Sequence, residues 1–366
     1  MRWAVALAFA FVASAQQVDP FAGVKEAAPE QAAPPASWLR RFFTDNVGFR
    51  KEILLQADTN EDANAAGRES VGFEVLKKFS TDTSTVASFD FQGRFVRRDG
   101  FNPVQNDLMG AGSLGWKFEY HNFYADFYNV LGRRASVGRV NFRAGHFYVP
   151  FGLNLQTDTH ATVLQLSNEG NFGFERDWYA GFYGSINKRL NYDAYYMAGS
   201  GYDLKFKGQS GLGAVRISLG NSYSSEYGLE GGISAIAGER LWDGVPLKTQ
   251  RIGVDARYRH TAPHGLLTFT TEWSGGRDAT DPVHTQLYQT EYLRNSRRWG
   301  VATQYRNFAR EGMPVTSALA GEFTWYFRND VAGSNSHWIK LNVERQFESS
   351  FGPPRTIVTL QYYFYR

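Results

Sequence analysis

The sequence contains no cysteine, so disulfides add nothing to its stability and thiol catalysis is excluded. Beyond the N-terminus, no stretch is apolar for the roughly 20 residues that a membrane-spanning helix needs. Mean hydropathy is −0.41, which taken alone describes a soluble chain. Charge of one sign is scarce as well. The net charge is +3 with the two signs interspersed, which excludes the concentrated basic face of a nucleic-acid binder. The seven histidines, at 121, 146, 160, 260, 264, 284 and 337, form no pair at metal-ligand spacing, and His260 and His264 only bracket Pro263 in an expected turn. There is no G-x-S-x-G elbow, and no Ser or Asp stands at a catalytic spacing from a His. The residues therefore nominate no catalytic, cofactor-binding or metal site, and an enzyme is not expected.

What is present begins with an export signal. Arg2, the apolar run Trp3 to Val12 and the small residues Ala13-Ser14-Ala15 read as a signal peptide over 1–15, cut after Ala15. Residues 16–68 then read as an N-terminal periplasmic tail. Pro20, Pro29, Pro34 and Pro35 among Ala and Gln cannot build a core. Within the tail, Trp38, Leu39, Phe42 and Phe43 recur at helical spacing, so a short amphipathic segment is one reading. An extra strand at Phe49 to Ala57 is an equal alternative.

From 69 to 366 the chain is a succession of segments of period 2 separated by turn residues. Ala87, Phe89, Phe91 and Phe95 alternate with Ser88, Asp90, Gln92 and Arg94; Val358, Leu360, Tyr362 and Phe364 alternate with Thr359, Gln361 and Tyr363. Each segment thus has one apolar and one polar face. Sixteen can be counted, with 113–121 and 123–131 taken as separate strands, 70–79 as the first and 355–366 as the last. Each is near the 9–11 residues with which a tilted strand crosses a bilayer. Aromatic residues make up 16% of the chain and cluster at segment ends, as at Tyr195-Tyr196 and Trp325-Tyr326-Phe327, where a membrane interface would lie.

These features predict an all-β fold: a transmembrane antiparallel up-and-down barrel of about 16 strands in a Gram-negative outer membrane. The last strand closes on the one near Ser70 to Phe79, because an open edge in lipid leaves backbone groups unsatisfied at several kcal/mol each. From the sixth segment on, connections alternate short and long, with Gly238 to Gln250 and Ser274 to Val283 among the long ones. An even strand number puts both termini on the periplasmic side.

The longest gap between strand signals inside the barrel, 150–176, carries Asp158, His160, Glu169, Glu175 and Arg176. Folded inward it would be a constriction loop; left outside it would be a surface loop. Period-2 parity puts Arg94, Lys117, Arg139, Arg143, Arg216, Arg257, Arg259, Arg306 and Lys340 on the polar, pore-lining face, with a nearly equal number of carboxylates. An anion preference would rest on Arg139, Arg143, Arg257 and Arg259. The alternative is that these charges pair across strands and hold register.

Two stretches resemble the phosphate-selective, O/P-type porin family of bacterial outer membranes: Arg139-Val-Asn-Phe-Arg-Ala-Gly-His-Phe-Tyr-Val-Pro-Phe-Gly-Leu153, and Arg176-Asp-Trp-Tyr-Ala-Gly-Phe-Tyr-Gly184 with the hairpin partner Leu190 to Gly201. Together they cover about a fifth of the chain. The resemblance implies a sixteen-stranded barrel, a homotrimer, and a loop after the fifth strand that enters the pore. Phosphate selection is not implied, since few lysines fall on the polar faces and the loop carries carboxylates. The expected function is passive diffusion of small hydrophilic, and by the Arg argument anionic, solutes, with outer-membrane lipid as surroundings and no cofactor. Alternatives are a channel for hydrophobic substrates, and an outer-membrane enzyme or adhesion barrel.

Overall fold

The alternation becomes sixteen strands in the computed structural model, which describes residues 45–62, 65–81, 84–100, 115–131, 138–153, 163–164, 172, 174–202, 204, 211–220, 228–242, 244–311, 315–329, 336–348 and 354–366. In chain order these are β1 (Val47–Asn60), β2 (Ala65–Ser80), β3 (Thr85–Gly100), β4 (Lys117–Phe127), β5 (Asn141–Tyr148), β6 (Arg176–Ser185), β7 (Leu190–Met197) and β8 (Gly211–Leu219). They continue as β9 (Gly228–Trp242), β10 (Val245–Ala262), β11 (Gly265–Asp278), β12 (Asp281–Arg294), β13 (Trp299–Arg310), β14 (Thr316–Asn329), β15 (Ser336–Glu348) and β16 (Arg355–Tyr365). Each pairs antiparallel with its sequence neighbours, and β1 pairs with β16, so the sheet is a closed barrel. Closure leaves no strand edge unpaired, which is what a β-structure needs in hydrocarbon.

Two expectations about the strands are corrected, and their errors cancel in the count. The barrel starts at Val47, not at 69, because the segment Phe49 to Ala57 is the core of β1 rather than part of a tail. Residues 113–121 and 123–131 are not two strands. They are the single β4, whose register against β3 slips at His121, between the pairs Gln92↔Asn122 and Gly93↔Tyr120. That bulge breaks the period-2 pattern and makes one strand read as two. The signal peptide and the amphipathic reading of Trp38 to Phe43 lie outside the described residues.

Closure is also re-assigned. The last strand meets β1, with register from Glu52↔Tyr365 to Asn60↔Ile357, and not the strand at 70–79. Lys51 and Arg366 exchange backbone hydrogen bonds of 2.6 and 2.9 Å, so both ends of the barrel chain lie at one end of the cylinder. Near the other end of β1 and β16, the Thr356 hydroxyl donates to Glu61 at 2.6 Å. That bond, helped by the Arg345 charge, holds the Glu61 carboxyl below its ordinary range.

The short–long rhythm of connections is lost between β9 and β12. Gly238 to Gln250 and Ser274 to Val283 were expected as long loops. Instead, β9 continues to Trp242 and β10 begins at Val245, and β11 continues to Asp278 with β12 beginning at Asp281. Paired strands simply continue past the length a bilayer requires, since a ladder keeps its hydrogen bonds in water as well.

The two faces differ as parity requires. On β8, Leu212, Ala214, Arg216 and Ser218 are buried toward the interior, whereas Val215, Ile217 and Leu219 are each more than half exposed on the outside. An apolar exterior over a polar interior is the signature of a barrel whose outer solvent is lipid. Sixteen strands enclose a lumen wide enough for water and solutes unless something fills it.

Candidate functional site

The described residues of the connection between β5 and β6 contact the inner wall at several strands. Its first described residues turn inward: Gly152 N donates to Ser234 Oγ of β9 at 3.1 Å, and Leu153 N donates to Glu272 Oε1 of β11 at 3.1 Å. The Phe151 ring lies over Gly253 of β10, where an added Cβ would come within 2.6 Å of it. Farther along, Val163 packs on Ile357 of β16, and Leu164 packs on Ala302 of β13 and Ala320 of β14. The connection therefore touches the β9–β11 wall and then the β13–β16 wall. Ile357, Ala302 and Ala320 form apolar seats beside the ion-paired groups of β13–β15. On the return, Arg240 Nη1 of β9 donates to the Phe172 carbonyl at 2.6 Å, and the Phe172 ring meets Phe151 edge-on at 5.2 Å.

Arg240 is held in turn. Its Nε donates to Thr249 Oγ1 at 3.0 Å and its Nη2 to Asp278 Oδ2 at 3.1 Å, while the guanidinium lies 4.5 Å from the centre of the Trp242 ring. Asp278 also faces Arg251 at 2.9 Å and Arg310 at 3.8 Å. One buried carboxylate thus gathers three guanidinium groups, and Asp281 meets Arg310 at 3.4 Å from the rim. A planar fork with five donors can bind a carbonyl, a hydroxyl and a carboxylate together, which an ammonium cannot do in fixed geometry.

The expected inner cations are mostly in ion pairs. Arg94 reaches Glu52 at 3.4 Å, Arg216 reaches Asp255 at 2.6 Å, and Arg306 grips Glu344 with two bonds of 2.6 and 2.8 Å. In all three the partners stand two strands apart, so the arginine passes over the strand between. Small residues make the crossing possible. A Cβ on Gly72 would lie 3.0 Å from Arg94 Cβ, one on Gly232 would lie 2.8 Å from Arg216 Nη2, and Ala318 and Ala320 stand between Arg306 and Glu344.

The remaining predicted positions divide as follows. Arg143 is chelated by its register neighbour Asp126 at 2.7 and 2.8 Å and surrounded by the rings of Tyr124, Phe147 and Tyr183. Arg257 and Arg259 share Glu230, at 3.1 and 2.9 Å. Lys340 pairs with Glu322 at 3.1 Å. Lys117 and Arg139 are half-buried near strand ends, and the Arg139 carbonyl accepts from Tyr192 at 3.4 Å. The geometry thus favours cross-strand pairing over a row of free cations at most of these positions.

Among the loop residues, Glu175 stands 3.7 Å from Arg176. Arg176 is the first residue of β6, on the face opposite to inward Asp177, with its guanidinium 3.9 Å from the Tyr148 ring centre and in contact with His121. It is a wall residue on the outer side and not part of a constriction. Asp158, His160 and Glu169 lie outside the described residues. Asp177 fastens the next connection by accepting from the backbone N–H of Gly199 at 2.6 Å and of Gly201 at 3.0 Å.

Sequence reading missed Arg240, Asp278, Ser234 and the apolar seats. Arg240 and Asp278 fell in segments read as outer loops. The parity run Glu230, Ser234, Gly238, Arg240 carries the signal that could have placed Arg240 on the inner face. Among the described residues no group of His, Asp and Glu is arranged to hold a metal ion.

Comparison with solved structures places the same architecture in bacterial outer-membrane porins. The chain is similar to Pseudomonas putida OprB, with TM-score 0.63 and 10% identity over 88% of this chain and 94% of that one. It is similar to Salmonella typhi OmpF, determined in complex with daunomycin, with TM-score 0.57 and 10% identity over 87% and 97%. It is also similar to the anion-selective porin from Comamonas acidovorans, with TM-score 0.56 and 11% identity over 87% and 99%. No protein-family model and no curated protein matches the sequence. At these identities the likeness is one of fold.

Proposed function

We propose that this chain is a porin of a Gram-negative-type outer membrane, through which small hydrophilic solutes diffuse passively. The observation that carries the reading is the β5–β6 connection, which meets both walls inside a closed sixteen-stranded barrel with an apolar exterior and a charged interior. An element fixed across a water-wide lumen narrows it without closing the wall, which is how a general pore acquires a size limit. The purified chain in a planar lipid bilayer should give discrete ohmic steps. Absence of steps from a heat-modifiable, folded barrel would point to an adhesion or enzyme barrel instead. Steps blocked by apolar rather than hydrophilic solutes would point to a channel for hydrophobic substrates, although the charged inner wall speaks against one.

Any anion preference is weaker than a count of inner arginines suggests, because Arg94, Arg143, Arg216 and Arg306 each have a carboxylate. It would arise where arginines outnumber acids: Arg257 and Arg259 around Glu230, and Arg240, Arg251 and Arg310 around Asp278. A reversal potential measured across a salt gradient tests this. Phosphate selection is not proposed, as the inner wall offers few lysines.

The homotrimer implied by resemblance to the phosphate-selective porins is supported by the outer wall of β1–β6. Phe49, Phe73, Phe91 and Phe123 form a chain of ring contacts at 5.7 to 6.3 Å, continued by Phe127, Phe142 and Phe182 at 5.4 to 6.2 Å. Aromatic rings are enriched at the cores of protein interfaces. The signal peptide over 1–15 is the route of export.

A further inference from the structure

On the outer wall of β10–β12 the apolar belt is interrupted by a notch of about 330 Å³. Its floor is Ile252, Val254 and Trp273, its polar side is His284 and Gln286, and it exists because Gly275 contributes no side chain. An added Cβ at Gly275 would have no neighbour nearer than 3.9 Å, so the gap is open to a substituent.

The position of this notch relative to a membrane follows from the strands themselves. Tyr292 and Trp299 face outward with ring centres 5.6 Å apart and mark one interface, as aromatic pairs do. Leu267 of β11 stands opposite Tyr292. Counting the roughly 9–11 residues of a crossing along β11 leads from Leu267 to the stretch 276–278, so Arg277 lies at the other interface. The notch sits just inside that boundary, at the depth where acyl chains begin.

Above the notch the exposed side chains are cationic and polar. Arg277 is exposed between register partners Gln250 and Pro282, neither of them acidic. Lys248 is exposed on the neighbouring strand, with Glu239 as its register partner on the far side, and His284 stands beside Gly275. An apolar slot with Arg277 beyond Gly275 on β11 and Lys248 farther out beyond Ile252 on β10 matches an amphiphile with an acyl chain and a negative headgroup. The slot offers apolar contact and the cations offer charge-assisted hydrogen bonds to a phosphate.

We propose that the outer wall of β10–β12 binds an anionic phospholipid-like amphiphile, one acyl chain lying in the notch at Gly275 and the phosphate against Arg277 and Lys248. The proposal rests on the reading of the chain as a membrane barrel but not on its conducting solutes. The full-length protein is reconstituted in phosphatidylcholine vesicles containing a minority of phosphatidylglycerol with brominated acyl chains, whose bromines quench tryptophan on contact. The fluorescence difference between the chain and its Trp273→Phe variant isolates the signal from the notch. That signal should be quenched several-fold more than by the same fraction of brominated phosphatidylcholine. Arg277→Gln with Lys248→Gln should bring the two lipids level. Gly275→Leu, whose Cβ would have no neighbour nearer than 3.9 Å and whose side chain would occupy the notch, should lower quenching by the anionic lipid. Equal quenching by both lipids in the unmodified chain overturns the proposal, and so does an anionic preference that survives both sets of changes. Conductance steps retained by each variant show that the barrel is intact. Lipid preference without steps would remove the porin reading and leave this site standing.

Discussion

The Arg240 guanidinium donates to the Phe172 carbonyl inside the barrel at 2.6 Å, tying the returning end of the β5–β6 connection to the wall. Because Arg240 is about 2% exposed and also bound to Thr249 and Asp278, the tie is fixed rather than opportunistic. Arg240→Ala should therefore free this end of the connection and add fluctuation to single-channel traces, with a higher mean conductance. Arg240→Lys should not restore quiet traces, since an ammonium cannot hold three partners in the guanidinium's planar geometry. Traces unchanged in both variants would mean that the tie plays no part in setting the pore.

Arg143 tests the difference between a selectivity charge and a structural one. Asp126, about 1% exposed, receives both guanidinium bonds. Arg143→Ala should cost about 3–5 kcal/mol by leaving a buried charge unpaired. The loss would be read as a lower denaturant midpoint in detergent, with little change in reversal potential in the fraction that folds. Arg143→Met combined with Asp126→Leu should recover most of the stability. A large shift in ion selectivity with stability intact would show that Arg143 acts on permeating ions.

The arginine crossings require small residues beneath them. At Gly72 an added Cβ would stand 3.0 Å from Arg94 Cβ and 3.1 Å from the Gly93 carbonyl, both parts of the sheet that cannot easily give. Gly72→Leu should destabilise the barrel by roughly 1–3 kcal/mol through overpacking and displacement of Arg94 from Glu52. Gly321→Leu, at a position with nothing within 4 Å of an added Cβ, should be tolerated by comparison. Equal unfolding midpoints for the two variants would contradict this account.

Closure through β1 makes residues 47–60 indispensable. Gln56 and Gln361 share a side-chain hydrogen bond of 3.1 Å, and Thr359 donates to Asp58 at 2.5 Å, on top of the backbone ladder. A chain lacking residues up to 60 should give no heat-modifiable species on refolding into detergent. A chain lacking only residues 16–44 should still fold. A barrel that assembles without β1 would mean that the last strand can close on β2.

If the phenylalanine wall of β1–β6 packs against other copies, Phe91→Leu with Phe123→Leu should lower the assembly state without unfolding the monomer. Leucine is as compatible with lipid but loses the ring contacts of 5.7 and 5.8 Å that join these strands. Native-state mass or cross-linking in mild detergent reads the result. An unchanged oligomer would place the interface elsewhere.

Much of the fold is written locally, in period. A side chain's face on a strand depends only on whether its position is odd or even, so Val215 and Ile217 outside and Arg216 and Ser218 inside follow from the sequence without any knowledge of partners. The same local rule fails at His121, where one bulged residue reverses parity; between β9 and β12 parity holds, and what differs is strand length, since the strands outrun the bilayer. The number sixteen came out right from two opposite errors, β1 left out of the count although Phe49 to Ala57 was one of two readings, and β4 divided. What no local rule contains is which charges meet. Arg94 finds Glu52, and Arg216 finds Asp255, across an intervening strand, and Arg240 finds the carbonyl of a residue far away in the chain. Closing the sheet brings those groups together, and burial penalises a charge left unpaired, so the sequence by itself set inside and outside while the closed barrel decided which cations are neutralised and where the β5–β6 connection is held.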